Sequence, residues 1–154
     1  MSAADCVFCK VIAGEFDCAK IWEDENFLAI LDINPNTSGM ALVMPKLHFD
    51  SNLFDLPEKT YSAFLLAAKE VAALLEKGLD VSRVALVMEG MGVNHAHIKL
   101  YPLRDTDERF KDRWSKEKVF FERYPGYVTT QLGSGVPLLD LKKQAEDLRK
   151  KTAL

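Results

Sequence analysis

Residues 93–102 read Val93-Asn94-His95-Ala96-His97-Ile98-Lys99-Leu100-Tyr101-Pro102, a strict alternation of two chemistries. His95, His97, Lys99 and Tyr101 fall on one face; Ala96, Ile98 and Leu100 fall on the other. A period of two predicts a half-buried strand with its apolar set turned to the core. The opposite face then presents two imidazoles and an ammonium in a row, roughly 7 Å between same-face neighbours. Two of the chain's three histidines sit here. Such a row is either an ordinary solvated strand face or a rigid mount for a nucleophile or a metal ligand.

Working outward, Arg83–Met88 reads as a strand. The short turn Glu89-Gly90-Met91-Gly92 after it leads into the histidine strand, which predicts a hairpin. Upstream, Ala19–Glu23 and Asn26–Asp32 read as two short strands joined by a polar turn, and Met40–Pro45 as a buried strand ended by proline. Between them, Asp32–Gly39 is dense in turn residues and is a loop. Asp55-Leu56-Pro57-Glu58 predicts a helix start, with Asp55 as cap and Glu58 completing a capping box. Phe64, Ala67, Ala68, Val71, Ala72 and Leu75 keep helical spacing, and the helix is expected to run to Lys77 with Gly78 as its stop. The segment from Cys6 to Gly14 suits a single helical turn with a glycine stop. Beyond Pro102, Arg104–Lys118 reads as a loop followed by a helix, and Tyr124-Pro125-Gly126-Tyr127 as a turn. From Pro137 to about Lys151, Leu138, Leu139, Leu141, Ala145 and Leu148 suggest an amphipathic terminal helix. The fold class is α+β: an antiparallel sheet of about five strands, a long helix packed on it and a C-terminal helix. One domain is expected over 1–154, with a motif-bearing core at about 6–103 and an extension at 104–154.

At 154 residues, 48% hydrophobic against 28% charged, the chain is long and apolar enough for a real core. Its formal net charge of −3 argues against a nucleic-acid-binding surface, which needs a concentrated basic patch. No apolar stretch approaches the length of a membrane-spanning helix. Three cysteines without an export-signal pattern do not make a disulfide framework, so a cytoplasmic protein with reduced thiols is expected.

Three constellations carry chemistry. In the first, one imidazole of the His95/His97 pair is held and the other left free; a neutral, oriented imidazole is a competent nucleophile toward phosphorus. In the second, Cys6-x-x-Cys9 has the spacing of two zinc thiolates, which His48 and His95 would complete as a Cys₂His₂ site; a redox pair or two unremarkable buried thiols are the alternatives. Cys18 is expected to be a small buried residue. In the third, Asp32 stands where a carboxylate can accept ribose hydroxyls, although by itself the sequence favours an Asx-turn in which it caps backbone amides.

Taken together, Cys6-Val-Phe-Cys9-Lys-Val-Ile-Ala-Gly-Glu15, Asp32-Ile-Asn-Pro35, Leu42-Val-Met-Pro45-Lys-Leu-His48 and His95-Ala-His97-Ile-Lys99 resemble, in the same order, the histidine triad (HIT) proteins. The resemblance runs from Cys6 to about Leu103. It implies a compact α+β fold, commonly a homodimer, that binds purine nucleotides and breaks the bond at the α-phosphate through a nucleotidyl-histidine. The attacking histidine would be His97. Asp32 matches the ribose-binding acid, Phe8 and Phe16 match positions lining the base pocket, and Cys6, Cys9, His48 and His95 match the set that holds a structural zinc ion. Two departures stand out. Lys99 occupies the third triad position, where the related galactose-1-phosphate uridylyltransferases have glutamine; lysine supplies charge but no acceptor. The phosphate loop is only Glu89-Gly90-Met91-Gly92-Val93-Asn94, with backbone amides at Gly90 and Gly92 and one polar side chain, Asn94, to offer a phosphate.

Overall fold

The computed structural model describes residues 5–104 and 135–152. Five strands form one antiparallel sheet in the order β1-β2-β3-β5-β4. They are β1 (Lys20–Glu23), β2 (Phe27–Leu31), β3 (Ala41–Pro45), β4 (Arg83–Val87) and β5 (Ile98–Leu103), with helices α1 (Val7–Ile12), α2 (Glu58–Leu79) and α3 (Leu138–Thr152). The fold class is the expected one. The Trp114 and Tyr127 region, with the loop, helix and turn read there, lies outside the described residues.

Alternation along the central strands builds two apolar layers, one on each face of the sheet. Phe27, Ala29 and Leu31 of β2, Ala41 and Val43 of β3, and Ala96, Ile98 and Leu100 join Phe64, Val71 and Leu75 of α2 in the larger core. Leu28, Ile30, Leu42 and Met44 point the other way and pack with Cys6 and Phe8. The histidine face is therefore not solvated: His95, His97, Lys99 and Tyr101 are all buried. The alternation of two faces is present, although the strand begins only at Ile98, and over His95 and His97 the second face is covered by Phe8 and Cys6 of the N-terminal segment.

The hairpin is looser than expected. Val87 pairs with Lys99, so the β4–β5 connection runs from 88 to 97, and both histidines lie in it just ahead of β5. This connection is clamped to the segment after β3. Ala96 donates its N–H to the Phe49 carbonyl, Ser51 donates to Asn94 Oδ1, and Asn94 Nδ2 donates to Asp50. Gly90, at φ +69°, lies so close to Ser51 that a Cβ would stand 2.6 Å from its carbonyl oxygen. Only glycine suits both the torsion and the approach.

Helix boundaries differ from the sequence reading in instructive ways. Asp55 does not cap α2. It ends a short 3₁₀ turn, Leu53–Asp55, where Asn52 is the capping residue and also donates to Asp55. Pro57 stands at the N-cap instead, with its carbonyl accepting from Tyr61. Gly78 does not stop the helix either; Asp80, at φ 53°, turns the chain out, a conformation Asp tolerates. Gly78 is buried inside the last turn, where a Cβ would sit 2.5 Å from Leu148 Cδ2, so its role is to let α3 approach. By contrast Gly14 ends α1 as expected. It adopts φ +79°, with Gly14 N–H on the Val11 carbonyl and Glu15 N–H on that of Lys10, the Schellman pattern.

Leu141, Ala145 and Leu148 of α3 are buried in the larger core, whereas Leu139 is exposed, contrary to its place in the predicted apolar stripe. Leu148→Ala is expected to lower the unfolding free energy by about 2–5 kcal/mol. Leu139→Ala should stay within about 0.5 kcal/mol of the parent. Urea denaturation measures both, and equal, negligible losses would mean that α3 does not contribute to the core.

Candidate metal and nucleophile site

Four ligand atoms converge from three segments. Cys6 and Cys9 come from the start of α1, His48 from the exit of β3, and His95 from the connection before β5. Their donor atoms all lie within 4.8 Å of one another. His48 Nδ1 lies 3.3 Å from Cys9 Sγ, and His95 Nδ1 lies 3.5 Å from Cys6 Sγ and 3.6 Å from Cys9 Sγ. A tetrahedron with ordinary zinc–nitrogen and zinc–sulfur bonds has N···S edges of about 3.5 Å, which these distances match.

The hydrogen bonding fixes which nitrogen faces the thiols. His95 Nε2 is 2.8 Å from the Pro45 carbonyl oxygen. A carbonyl only accepts, so Nε2 carries the proton and Nδ1 turns its lone pair toward the two sulfurs. Burial, then the neighbouring His48 and His97, hold the His95 imidazole below its ordinary range, which the bond to Pro45 only partly offsets. Burial, with the hydrogen bond and charge of Cys6, pushes the Cys9 thiol up to about 11. Two adjacent thiols resist ionisation together; a cation between them reverses that balance. The cluster has the chemistry and the spacing to hold a metal ion.

His97 faces the same side. Its Nδ1 is 2.7 Å from the His95 carbonyl oxygen, so Nδ1 is the donor and Nε2 keeps its lone pair. Burial lowers its pKa most; the hydrogen bond to His95 opposes this, Lys99 adds to it, and the charges of Glu89 and Asp32 oppose it. The neutral ring is the nucleophilic one. Phe8 stands edge-on to both imidazoles, its centroid 5.9 Å from that of His95 and 5.4 Å from that of His97. His48 meets His95 in the same T-shaped manner at 5.0 Å.

The other expected site residues are more dispersed. Asp32 is buried at the end of β2 and accepts from the Asn34 N–H at 2.8 Å, which is the Asx-turn arrangement. Phe16 is 46% exposed, with Lys10 Nζ 5.6 Å from its ring centroid. Asn94 spends its amide on Asp50 and Ser51. Lys99 is buried and pairs with Glu89, a residue that the sequence reading placed only in a turn. A buried lysine on a strand needs a counter-charge, and that rule was the signal that could have found Glu89. Cys18 is half-buried, and burial raises its thiol pKa.

A family model described as the HIT domain matches residues 13–106, more than half of the chain. An uncharacterized HIT-like protein of Methanocaldococcus jannaschii is 34% identical over 106 residues, 66% of this chain and 81% of that protein. The adenosine 5'-monophosphoramidase of Saccharomyces cerevisiae is 30% identical over 125 residues, 78% of this chain and 76% of the enzyme. Among solved structures, a zinc-bound histidine triad family protein from Mycobacterium smegmatis superposes with a TM-score of 0.67 at 28% identity, covering 97% of this chain and 94% of that one. With its sheet order, its convergent histidines and these likenesses, the chain belongs to the HIT family.

Proposed function

We propose that this protein is a nucleotide hydrolase or nucleotidyl transferase that acts at the α-phosphate of a purine nucleotide through His97. The observation that carries the reading is the Nδ1 bond of His97 to the His95 carbonyl, which leaves Nε2 as a fixed, neutral nucleophile. Nε2 attacks the α-phosphorus, forming an N–P bond as the bond to the leaving group breaks and that group departs with the electron pair, an amine also taking a proton from solvent. Water or another acceptor then attacks phosphorus, releases the nucleotide and returns the lone pair to Nε2. The yeast relative's activity on an adenosine monophosphoramidate supports an adenosine phosphoramidate as the substrate class, beside the dinucleoside polyphosphates. Asp32 is assigned to the ribose, Phe8 and Phe16 to the base, Asn94 to the phosphate loop, and Lys99 to the third triad position.

The metal in the four-ligand cluster is proposed to be zinc, in a structural role. When bound, it would cross-link α1 to the connections before and after the sheet's centre and so hold the backbone that orients His97. Three cysteines without a disulfide, Cys6 and Cys9 in the cluster and Cys18 outside it, suit a reducing, cytoplasmic compartment. We further assign residues 1–154 to one HIT-like domain, since α3 shares the core of the sheet, and the assembly to a homodimer formed along the β4 edge, where Leu86 is exposed.

A second reading, a nucleotide-binding protein without turnover or a uridylyltransferase-like enzyme, is favoured by one observation. Lys99 is engaged by Glu89 rather than standing open as an imidazole would. Intact-protein mass spectrometry of samples quenched during reaction separates the readings. The wild type should gain one AMP from adenosine 5'-phosphoramidate, and His97→Ala should gain none and release none. Nucleotide binding with no adduct would establish the binder instead.

Elemental analysis should find about one zinc per chain, falling to near none in Cys9→Ala. Chelation of the wild type should lower the melting temperature by several degrees, because metal-binding free energy is here folding free energy. Purified wild type devoid of zinc would remove the assignment. Sedimentation should give twice the chain's mass, and Leu86→Arg should shift that toward the monomer; a monomeric wild type would exclude the β4 interface.

A further inference from the structure

Lys99 and Glu89 form an ion pair whose side chains are only 10% and 14% exposed. Fold stability does not account for it. Burying two charges costs hydration that pairing offsets only in excellent geometry, and apolar replacements are often as stable or more so. Its position is more telling. β4 and β5 align Val87 with Lys99, and Glu89, two residues past Val87 in the connection that also carries His97, reaches the Lys99 ammonium. Lys99 sits two residues beyond His97 on the same face. The two charges act on the His97 ring with opposite sign, and Glu89 together with Asp32 helps push the Tyr101 phenol up to about 12, after burial.

We infer that Glu89 is a positioning and specificity-determining residue: it fixes Lys99 Nζ as a hydrogen-bond donor to the phosphoryl group at His97 and cancels its charge. The inference rests on the assignment of His97 as nucleophile. An ammonium has three donors and no acceptor, so one is given to Glu89 and two remain for phosphate oxygens. Unanchored, lysine is a flexible point charge; anchored, it is a preorganised donor, the form that stabilises a transition state without reorganising. The Glu89 and Asp32 carboxylates act on His97 opposite to Lys99 and so weaken the pull of its charge on further anionic groups. The preferred leaving group is therefore uncharged: the amine of an adenosine phosphoramidate, rather than the polyphosphate tail of a dinucleoside polyphosphate.

The test compares wild type, Glu89→Gln, Lys99→Met and the double variant on adenosine 5'-phosphoramidate and diadenosine tetraphosphate, with melting temperatures as a check on folding. Glu89→Gln keeps the shape and removes the charge. Its kcat on the phosphoramidate should fall about tenfold while KM moves less, since a donor aligned only for the transition state is lost. Its kcat/KM ratio of tetraphosphate to phosphoramidate should rise about tenfold, because Lys99 then carries an uncancelled charge. In the Lys99→Met background the same change should alter neither quantity by more than about twofold, as expected for residues acting as a unit. Glu89→Asp, which keeps the charge on a shorter arm, should lower kcat and leave the ratio in place. Glu89→Gln within about twofold of wild type in both quantities would overturn the inference, as would an effect of equal size with and without Lys99. An active wild type with an indifferent Glu89→Gln overturns this inference alone; a wild type that forms no nucleotidyl adduct overturns the His97 assignment and this inference with it.

Discussion

His95 belongs to two networks at once, and the candidate site depends on that double membership. Its side chain is held at one nitrogen by the Pro45 carbonyl and presents the other to two thiols. Its main-chain carbonyl accepts the Nδ1 proton of His97. Whatever fixes the His95 backbone therefore fixes the tautomer and direction of the neighbouring imidazole. A hydrogen bond from one ring nitrogen to a backbone carbonyl is the ordinary way to leave the other nitrogen poised. Here the carbonyl belongs to a residue whose ring is itself locked, so the orientation of His97 is set by covalent geometry as much as by packing.

The same economy appears in the loops. The connection from 88 to 97 is long for a hairpin, and left alone it would be mobile. It is instead bound to the segment after β3 by Ala96 on Phe49 and by Asn94 across Asp50 and Ser51, with Gly90 seated on the Ser51 backbone. His48 lies in the strand exit that leads into that segment, so the clamp brings the two histidines of the cluster together from opposite sides. Phe8 then closes the third side from α1, touching both His95 and His97. The six-residue α1 has little intrinsic stability. Its place is secured by Phe8 and Cys6 in the smaller apolar layer and by the Gly14 terminus.

What was legible in the sequence follows from how local the signal is. Period-two alternation placed the strands, helical spacing placed α2 and α3, and the order of four short motifs placed the residues that converge on the cluster. What was not legible depended on a distant partner. The histidine face read as half-exposed because nothing in residues 93–102 says that Phe8 and Cys6 will cover it. Gly78 read as a stop because its neighbour Leu148 is seventy positions away in sequence; Asp55 is the local exception, taken into a separate turn that Asn52 caps. Glu89 read as a turn residue because its reason for being there is a lysine on the following strand.

The Asp32 loop carries this dependence on distant partners furthest. Its turn is set locally by Asp32 on the Asn34 N–H and by Asp32 N–H on the Met40 carbonyl. Yet it is also gripped from outside the motif-bearing core: Val136 donates to the Ile33 carbonyl, Gln144 to Ser38 Oγ, and Arg104 to the Ser38 carbonyl. Gly39 completes the fit at φ +84°, where a Cβ would lie 2.3 Å from the Leu79 side chain at the end of α2. The loop that bears the candidate ribose acid is thus shaped by the sheet, by α2 and by the segment leading into α3. Arg104, Val136 and Gln144, all outside the four motifs, contribute to its geometry as directly as the motif that contains Asp32.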